Sequence, residues 1–525
     1  MNLLIVTILI MTILLLISLI YLYLIQTTGK PSGPKSPSHP QKRVIMIIVD
    51  SLMDEALQSL MKEGKAPAFE FLMNSGSYYP KMVTGYPTMS VALDSTLLTG
   101  TYPDQHKIPA LVWYDEKNKQ FISYGSAQKE IRKLGPKQVL TNSLFKLNHQ
   151  HLSKNVKTIH EELKDPSGSI NALVYRGPHT HTLQVPRVLN MLNYLQKGDK
   201  VKAPTYFSYG LLSKENPANN QIHIWQAFGF NDKFATNELT YLIKKNGVPA
   251  YTLVYFSDND KKVHKKGAHE TKGIEAADKQ LQKILNTYDS WDDALKENVW
   301  IVMGDSGQSN IGTDKNRSLI DLRKLMNDYR IHKINSPIKM DDQIVLGLNE
   351  RMCFIYLLDD QLELEHIAEE LKKDDRINFA AWKSNDSVNV VSGDEPGILS
   401  FKPNGEFEDI YKKSWSLDGN LGILDLKTTE AGMISFGDYP DGLSRLYSAF
   451  FSHTGRYVVV DAKPGFEFVG EGSPTHLGGA SHGSLHREDS YFPMIVTGTS
   501  TKPKTERMVD LKEWILRIIR KDADK

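Results

Sequence analysis

Three apolar runs that each give way to aspartate constrain this chain more than any other feature. They are Arg43-Val-Ile-Met-Ile-Ile-Val-Asp50, Ala250-Tyr-Thr-Leu-Val-Tyr-Phe256 with Asp258 and Asp260 just beyond, and Asn298-Val-Trp-Ile-Val-Met-Gly-Asp305. A strand with one wet face alternates apolar and polar residues, whereas a continuous run is buried on both faces, as in a parallel sheet covered by helices. Helical periodicity takes turns with extended segments around these runs. Helices are expected at about 53–63, from 67, near 156–164 and at 270–288, and extended segments at 81–84 and 170–176. The pattern predicts an α/β fold: a mostly parallel central sheet with helices on both faces. The C-terminal strand ends of such a sheet meet at one edge, where ligands bind in doubly wound folds. One aspartate there is an ordinary helix cap; three, together with spaced histidines, point to a cation site.

Composition narrows the ligands. The chain has 525 residues, 40% of them hydrophobic and 24% charged, enough for one large domain with insertions and a sizeable core. Its formal charge of +1 supplies no basic field, so no nucleic-acid duplex is expected as a partner. A single cysteine, Cys353, excludes an internal disulfide and a cysteine-built zinc site. Histidine and carboxylate are then the strong metal ligands available.

The 23 residues from Leu3 to Ile25 carry no charge and, at ~1.5 Å each, reach across a ~30 Å hydrocarbon layer. Residues 1–26 therefore read as a transmembrane signal anchor, and the Pro/Ser/Gly-rich 27–42 as a flexible linker. Residues 43–525 read as one catalytic domain, with a cap insertion around 197–232 and a mixed strand subregion around 346–451. Lys30, Lys35, Lys42 and Arg43 follow the apolar segment and no basic residue precedes it, which by charge alone keeps the domain cytoplasmic.

The stretch from Gly85 to Ile108 reads as a turn, a helix opening with hydroxyl residues, and a second turn at Gly100 and Pro103. A hydroxyl at a helix start lies among unpaired N–H groups and the positive end of the dipole, where an anion is favoured. Thr88 and Ser90 compete for the role of nucleophile. Asp260 and His264 are four apart, one face of a helical turn, a spacing that can hold a metal between carboxylate and imidazole. His482 lies in a glycine-rich loop with His476 and His486 as rivals for a third ligand position. His106 reads as packed beside the hydroxyl helix, and His179 and His181 as loop residues.

The ordered set Val-Asp50, Pro-Thr-x-Ser90 nine residues before Thr99-Gly100, Asp260-x-x-x-His264-x-x-Gly267, Gly-Asp305-x-Gly and His482-Gly resembles the alkaline phosphatase superfamily. It is most similar to the type I phosphodiesterase/nucleotide pyrophosphatase branch, over residues from about 43 to the end. The resemblance implies an alkaline phosphatase-like fold and hydrolysis of a small phosphoester or phosphodiester through a covalent phospho-serine. It implies one metal at Asp260, His264 and His482 and another at Asp50, Asp305 and the nucleophile, and the nine-residue spacing selects Ser90. It also implies an extracytoplasmic catalytic domain, against the flanking charges. Two positions depart from the branch: Ser306 stands where a histidine follows the aspartate, and Leu93 where an asparagine holds a phosphate oxygen. Asp94, four residues after Ser90, could supply the lost ligand to a site made of oxygen, with Ser306 as a further donor. The first site would then suit zinc, and the second zinc or magnesium or manganese. Sulfatase chemistry is disfavoured, because Ala92 and Asp94 occupy positions where that motif has proline and arginine. The alternatives are a membrane-tethered binding protein with lost catalysis and a transferase of phospho-groups to membrane glycans. Oligomeric state is not legible.

Overall fold

The computed structural model describes residues 42–520. The expected membrane segment, 3–25, lies outside the described residues, and among those described no helix is long and apolar enough to cross a membrane.

The apolar runs form the centre of a seven-stranded sheet. Its order is Gly76–Val83, Tyr491–Thr497, β3 (Asn298–Met303), β1 (Arg43–Val49), β2 (Tyr251–Phe256), Ser167–Ile170 and Tyr206–Ser208. Only Tyr491–Thr497 runs against the others. Alternate residues of β1 serve opposite faces, as strand geometry requires. Val44, Met46 and Ile48 pack with Leu97 and Leu98 of α1 (Ser90–Thr99) and with Trp514 and Ile515 of the helix Leu511–Arg520. Ile45, Ile47 and Val49 pack on the other face with Leu57, Phe69, Leu239 and Leu281 from four further helices. Each of these fully buried side chains contributes about 1.5–3 kcal/mol relative to exposure, which is why the sheet centre is the rigid part.

A nine-stranded sheet, mostly antiparallel, is built from strands between Ile344–Asn349 and Tyr457–Ala462. It faces the helix Gly442–Phe450, whose buried Arg445 donates to Gly85 O (2.9 Å), Pro440 O (2.9 Å) and Leu485 O (3.3 Å). One guanidinium thus ties the turn before α1 to the loop that carries His482.

Two expected elements differ. The strand at 170–176 ends at Ile170, and the helix at 156–164 is one turn, Ile159–Glu162. Asn171 N makes the last bond to the neighbouring strand, at Ser208 O (2.9 Å), and beyond it backbone N–H groups bond to side chains: Leu173 to Asp94 Oδ2 (3.1 Å), Tyr175 and Arg176 to Asn148 Oδ1 (2.7 and 3.0 Å). Within the expected cap, Tyr206–Ser208 is instead the edge strand of the central sheet; Phe207 and Tyr209 form a small core with Tyr175, whereas Trp225 and Phe228 are exposed.

Candidate active site

Register brings the site together. Ile48 of β1 lies beside Tyr255 on one side and Met303 on the other, and Asp50 N donates to Phe256 O at 2.9 Å. One residue further the strands end, so Asp50, Asp305 and the start of α2 (Asp258–Lys266) share one edge. Asn259, buried in the first turn of α2, donates to Asp50 O (2.9 Å) and Ser51 O (3.0 Å) and fixes that helix to the end of β1. Asp258 faces away: it exchanges hydrogen bonds with Asp232 and pairs with Lys261. Asp260 faces the site, its Oδ1 accepting from Ser51 Oγ (3.0 Å) and Gln308 Nε2 (2.7 Å).

On α2 the spacing of four places His264 Nε2 3.1 Å from Asp260 Oδ1. His482 Nε2 lies 4.0 Å from the same oxygen, and ligand atoms of all three residues fall within 4.8 Å of one another. Both imidazoles are oriented from behind by main-chain carbonyls: His264 Nδ1 donates to Ala480 O (2.8 Å) and His482 Nδ1 to Thr88 O. A carbonyl only accepts, so Nδ1 carries the proton and Nε2 is the ligand atom in each neutral ring. The rivals of His482 are otherwise engaged. His486 Nδ1 accepts from Glu488 N as a helix cap, and His476 bonds Glu467 through its own N–H (2.6 Å) and Nδ1 (2.9 Å).

Ser90 opens α1, half-buried, near enough to the Tyr255 hydroxyl to act on it. That hydroxyl also donates to Asp305 Oδ2 (3.1 Å). Thr88 is fully buried, and its Oγ1 accepts from Gly483 N (2.6 Å). It holds the His482 loop by hydroxyl and carbonyl together, which leaves its oxygen spent on main chain. Asp305 is fixed by Ser51 N and Ser306 N on Oδ1 (3.0 and 2.9 Å), and its carbonyl accepts from Thr84 Oγ1 (2.6 Å). Ser306 is buried beside it. Asp94 is buried, its Oδ2 accepting from Leu173 N (3.1 Å) and its Oδ1 without a partner among the described residues. His106 is buried with both nitrogens used, on Thr96 Oγ1 (3.2 Å) and Ile108 N (3.1 Å). His179 and His181 lie on a two-stranded ribbon, not in a loop.

Electrostatics divide the site in two. On one side burial, then Asp305 and Asp260, push the Asp50 carboxyl well up, and burial with Asp305 pushes Asp94 up to about 8. Burial raises Asp305 as well. These acids crowd each other with hydroxyl and N–H groups as their counterparts; among the described residues the groups of ligand atoms close enough to share an ion are Asp260/His264/His482 and His264/Glu350/His476, and neither includes Asp50, Asp94 or Asp305. On the other side burial is outweighed by His264 and His482, which hold Asp260 low. Burial is likewise outweighed at His264, where Asp260 and Glu350 raise the imidazole to about 10. A field that holds a proton so firmly on His264 also favours a metal ion in its place.

Sequence reasoning missed Tyr255, Gln308, Ser51 and Glu350. Glu350 Oε2 lies 4.0 Å from His482 Nε2 and accepts from Ser481 Oγ (2.7 Å). Burial notwithstanding, His476, His264 and His482 hold its carboxyl down at about 2.

The sequence model of the type I phosphodiesterase / nucleotide pyrophosphatase family matches residues 44–484. The chain belongs to this family. Phosphoester hydrolysis is the family's chemistry, and it depends on metal ions. No curated protein matches the chain. Among solved structures, human ectonucleotide pyrophosphatase/phosphodiesterase 5 superposes with a TM-score of 0.55 at 11% identity, over 91% of this chain and 95% of that one. The murine protein gives 0.54 at 12% identity, over 92% and 96%. An inactive variant of the murine protein in complex with AMP gives 0.53 at 12% identity over the same shares. At such identity the likeness establishes the alkaline phosphatase-like fold of the family and not the substrate.

Proposed function

We propose that this chain hydrolyses a phosphodiester or related small phosphoester with Ser90 as nucleophile, served by two unlike divalent cations. The observation that carries the reading is the meeting of Ser90, Asp50, Asp305 and the Asp260/His264/His482 group at one sheet edge. Asp260, His264 and His482 would hold zinc; Asp50, Asp305 and Ser90 would hold zinc, magnesium or manganese. When bound, such ions lower the pKa of a hydroxyl nucleophile and neutralise charge on phosphoryl oxygens.

The chain's own groups do the rest. Tyr255 keeps the Ser90 hydroxyl at the edge, and N–H groups at the start of α1 receive a phosphoryl oxygen, which matters more with Leu93 in place of an amide donor. Ser90 Oγ gives up its proton to solvent and attacks phosphorus as the bond to the leaving oxygen breaks; the leaving oxygen takes up a proton from solvent, and a phospho-serine remains. Water then attacks that phosphorus, and Ser90 regains its proton as phosphate product departs. The uncharged segment from Leu3 to Ile25 supports a single-pass anchor, and the family resemblance, against the flanking charges, favours the extracytoplasmic side for the hydrolase, testable by protease protection in sealed vesicles.

Hydrolysis of bis-nitrophenyl phosphate and its monoester, with zinc, magnesium or manganese supplied, tests the assignment. Ser90→Ala should abolish turnover and the phosphopeptide seen by mass spectrometry, with folding intact. Full residual rate in Ser90→Ala would move the role to Thr88. A wild-type protein inert with every metal would favour the binding-protein reading, for which Ser306 and Leu93 are the grounds.

A further inference from the structure

Behind the Asp260/His264/His482 group lies a carboxylate that the reading above does not use. Glu350 sits at the tip of the hairpin between Ile344–Asn349 and Met352–Leu357, with a left-handed φ of 60°. A non-glycine residue pays roughly 1 kcal/mol or more for that conformation, and asparagine or glycine is the usual occupant of such a turn. Its side chain is only 10% exposed and is aimed inward, where Oε2 accepts from Ser481 Oγ at 2.7 Å. The same oxygen stands 4.0 Å from His482 Nε2 and 3.8 Å from His476 Nδ1.

Two overlapping triads of potential ligand atoms result, Asp260/His264/His482 and His264/Glu350/His476. They cannot serve two ions, because His264 has one nitrogen to offer: its Nδ1 is engaged with Ala480 O. His476 is withdrawn by Glu467 and stacks flat on His264, ring centroids 4.0 Å apart. What remains is Glu350 on the flank of the Asp260/His264/His482 group, its Oε2 4.0 Å from His482 Nε2 and its carboxylate within 4.8 Å of a nitrogen of His264.

We infer that Glu350 is a fourth protein ligand of the cation at Asp260, His264 and His482. The inference rests on the metal-dependent reading above. Catalytic zinc sites have three protein ligands and can expand to five-coordinate, so a fourth protein ligand would hold this ion more firmly and still leave a position for a phosphoryl oxygen. This ion would accordingly be held tightly and exchange slowly, and the ion at Asp50, Asp305 and Ser90 would be the exchangeable one.

The test is titration of chelator-stripped full-length protein with Co²⁺, followed by its visible d–d absorption and by metal-resolved mass spectrometry. Glu350→Gln keeps the acceptor for Ser481 and the side-chain volume but removes the charge. It should weaken the first equivalent at least about tenfold and change the d–d envelope at saturation, leaving the second equivalent unaffected. Glu350→Asp, which only retracts the carboxylate, should give a smaller change in the same direction. Weaker binding with an unchanged envelope in both variants would make Glu350 a group behind the ligands and overturn the inference. Wild-type protein that takes up no Co²⁺ would instead sink the metal-dependent reading itself.

Discussion

Tyr255 shows how one hydroxyl can organise several acids. It reaches Ser90, donates to Asp305 and acts on Asp50, so the phenol rather than any charged group is the hub of the oxygen-rich side. Tyr255→Phe should leave the melting temperature near that of wild type and lower kcat by about ten- to a hundredfold, with KM little changed, since it loosens the nucleophile and not the substrate. An unchanged kcat would show that the hydroxyl of Ser90 is oriented by something else. Asp94 poses the opposite problem. It is buried with one oxygen answered by the N–H of Leu173 and the other unpartnered among the described residues, and Asp305 adds to the crowding. Asp94→Asn keeps an acceptor for Leu173 while removing the charge. In metal-free protein it should raise the melting temperature, and it should also shrink the further rise that Mn²⁺ or Mg²⁺ produces in wild type. Equal metal-induced shifts in the two proteins would remove Asp94 from the second site.

The loop from Gly478 to His486 is where close packing decides function. Gly483 has φ of 121°, and a Cβ there would stand 2.4 Å from Asn349 O, so no other residue fits without moving the hairpin that carries Glu350. Gly483→Ala should destabilise the protein by about 2 kcal/mol or more, read from denaturant midpoints, and weaken metal binding with it. A neutral substitution would mean that the hairpin yields. The loop is also pinned by Arg351, which pairs in the interior with Asp489 while Asp489 Oδ2 accepts from Ser484 N (2.8 Å). Little of this could be read beforehand. The continuous apolar runs announce β1, β2 and β3 because burial on both faces leaves no place for polar residues. His476, His482 and His486 look alike in a glycine-rich string, and only the resemblance separated them. Their physical difference is where each Nδ1 goes: to Glu467, to Thr88 O, and to Glu488 N. Tyr255 reads as one more core aromatic and Glu350 as a charged hairpin tip, since both owe their meaning to contacts that the fold makes and the local sequence does not announce. The strand expected at 170–176 fails for the same reason: Asp94 and Asn148 capture its N–H groups.

The molecule as a whole carries buried titratable groups of both signs, far from the site as well as in it. Burial pushes Asp232 and Asp461 up to about 7, so the folded state holds protons that the unfolded chain has shed, and these two lose stability as pH rises from roughly 4 towards 7. Buried histidines act in the reverse sense. His160, beneath the sheet against Tyr251 and bonded by Nδ1 to Ser167 Oγ at 3.0 Å, is driven by burial down to about 3. Below its ordinary value of about 6.5 the unfolded chain takes up a proton at this position and the folded one does not. The stability contributed by neutral His160 is therefore lost as pH falls from about 6.5 towards 3, at up to about 1.4 kcal/mol per pH unit. In wild type alone the acids mask this slope, but they cancel in a comparison with His160→Gln, which keeps a partner for Ser167. With chelator present throughout, urea midpoints should show His160→Gln less stable than wild type at pH near 7, by a margin that packing sets. The margin should narrow steadily on acidification through the stated window and reverse once the proton uptake outweighs packing. A margin independent of pH would mean that His160 is protonated in the folded protein and has found a partner for its second nitrogen, which has none among the described residues.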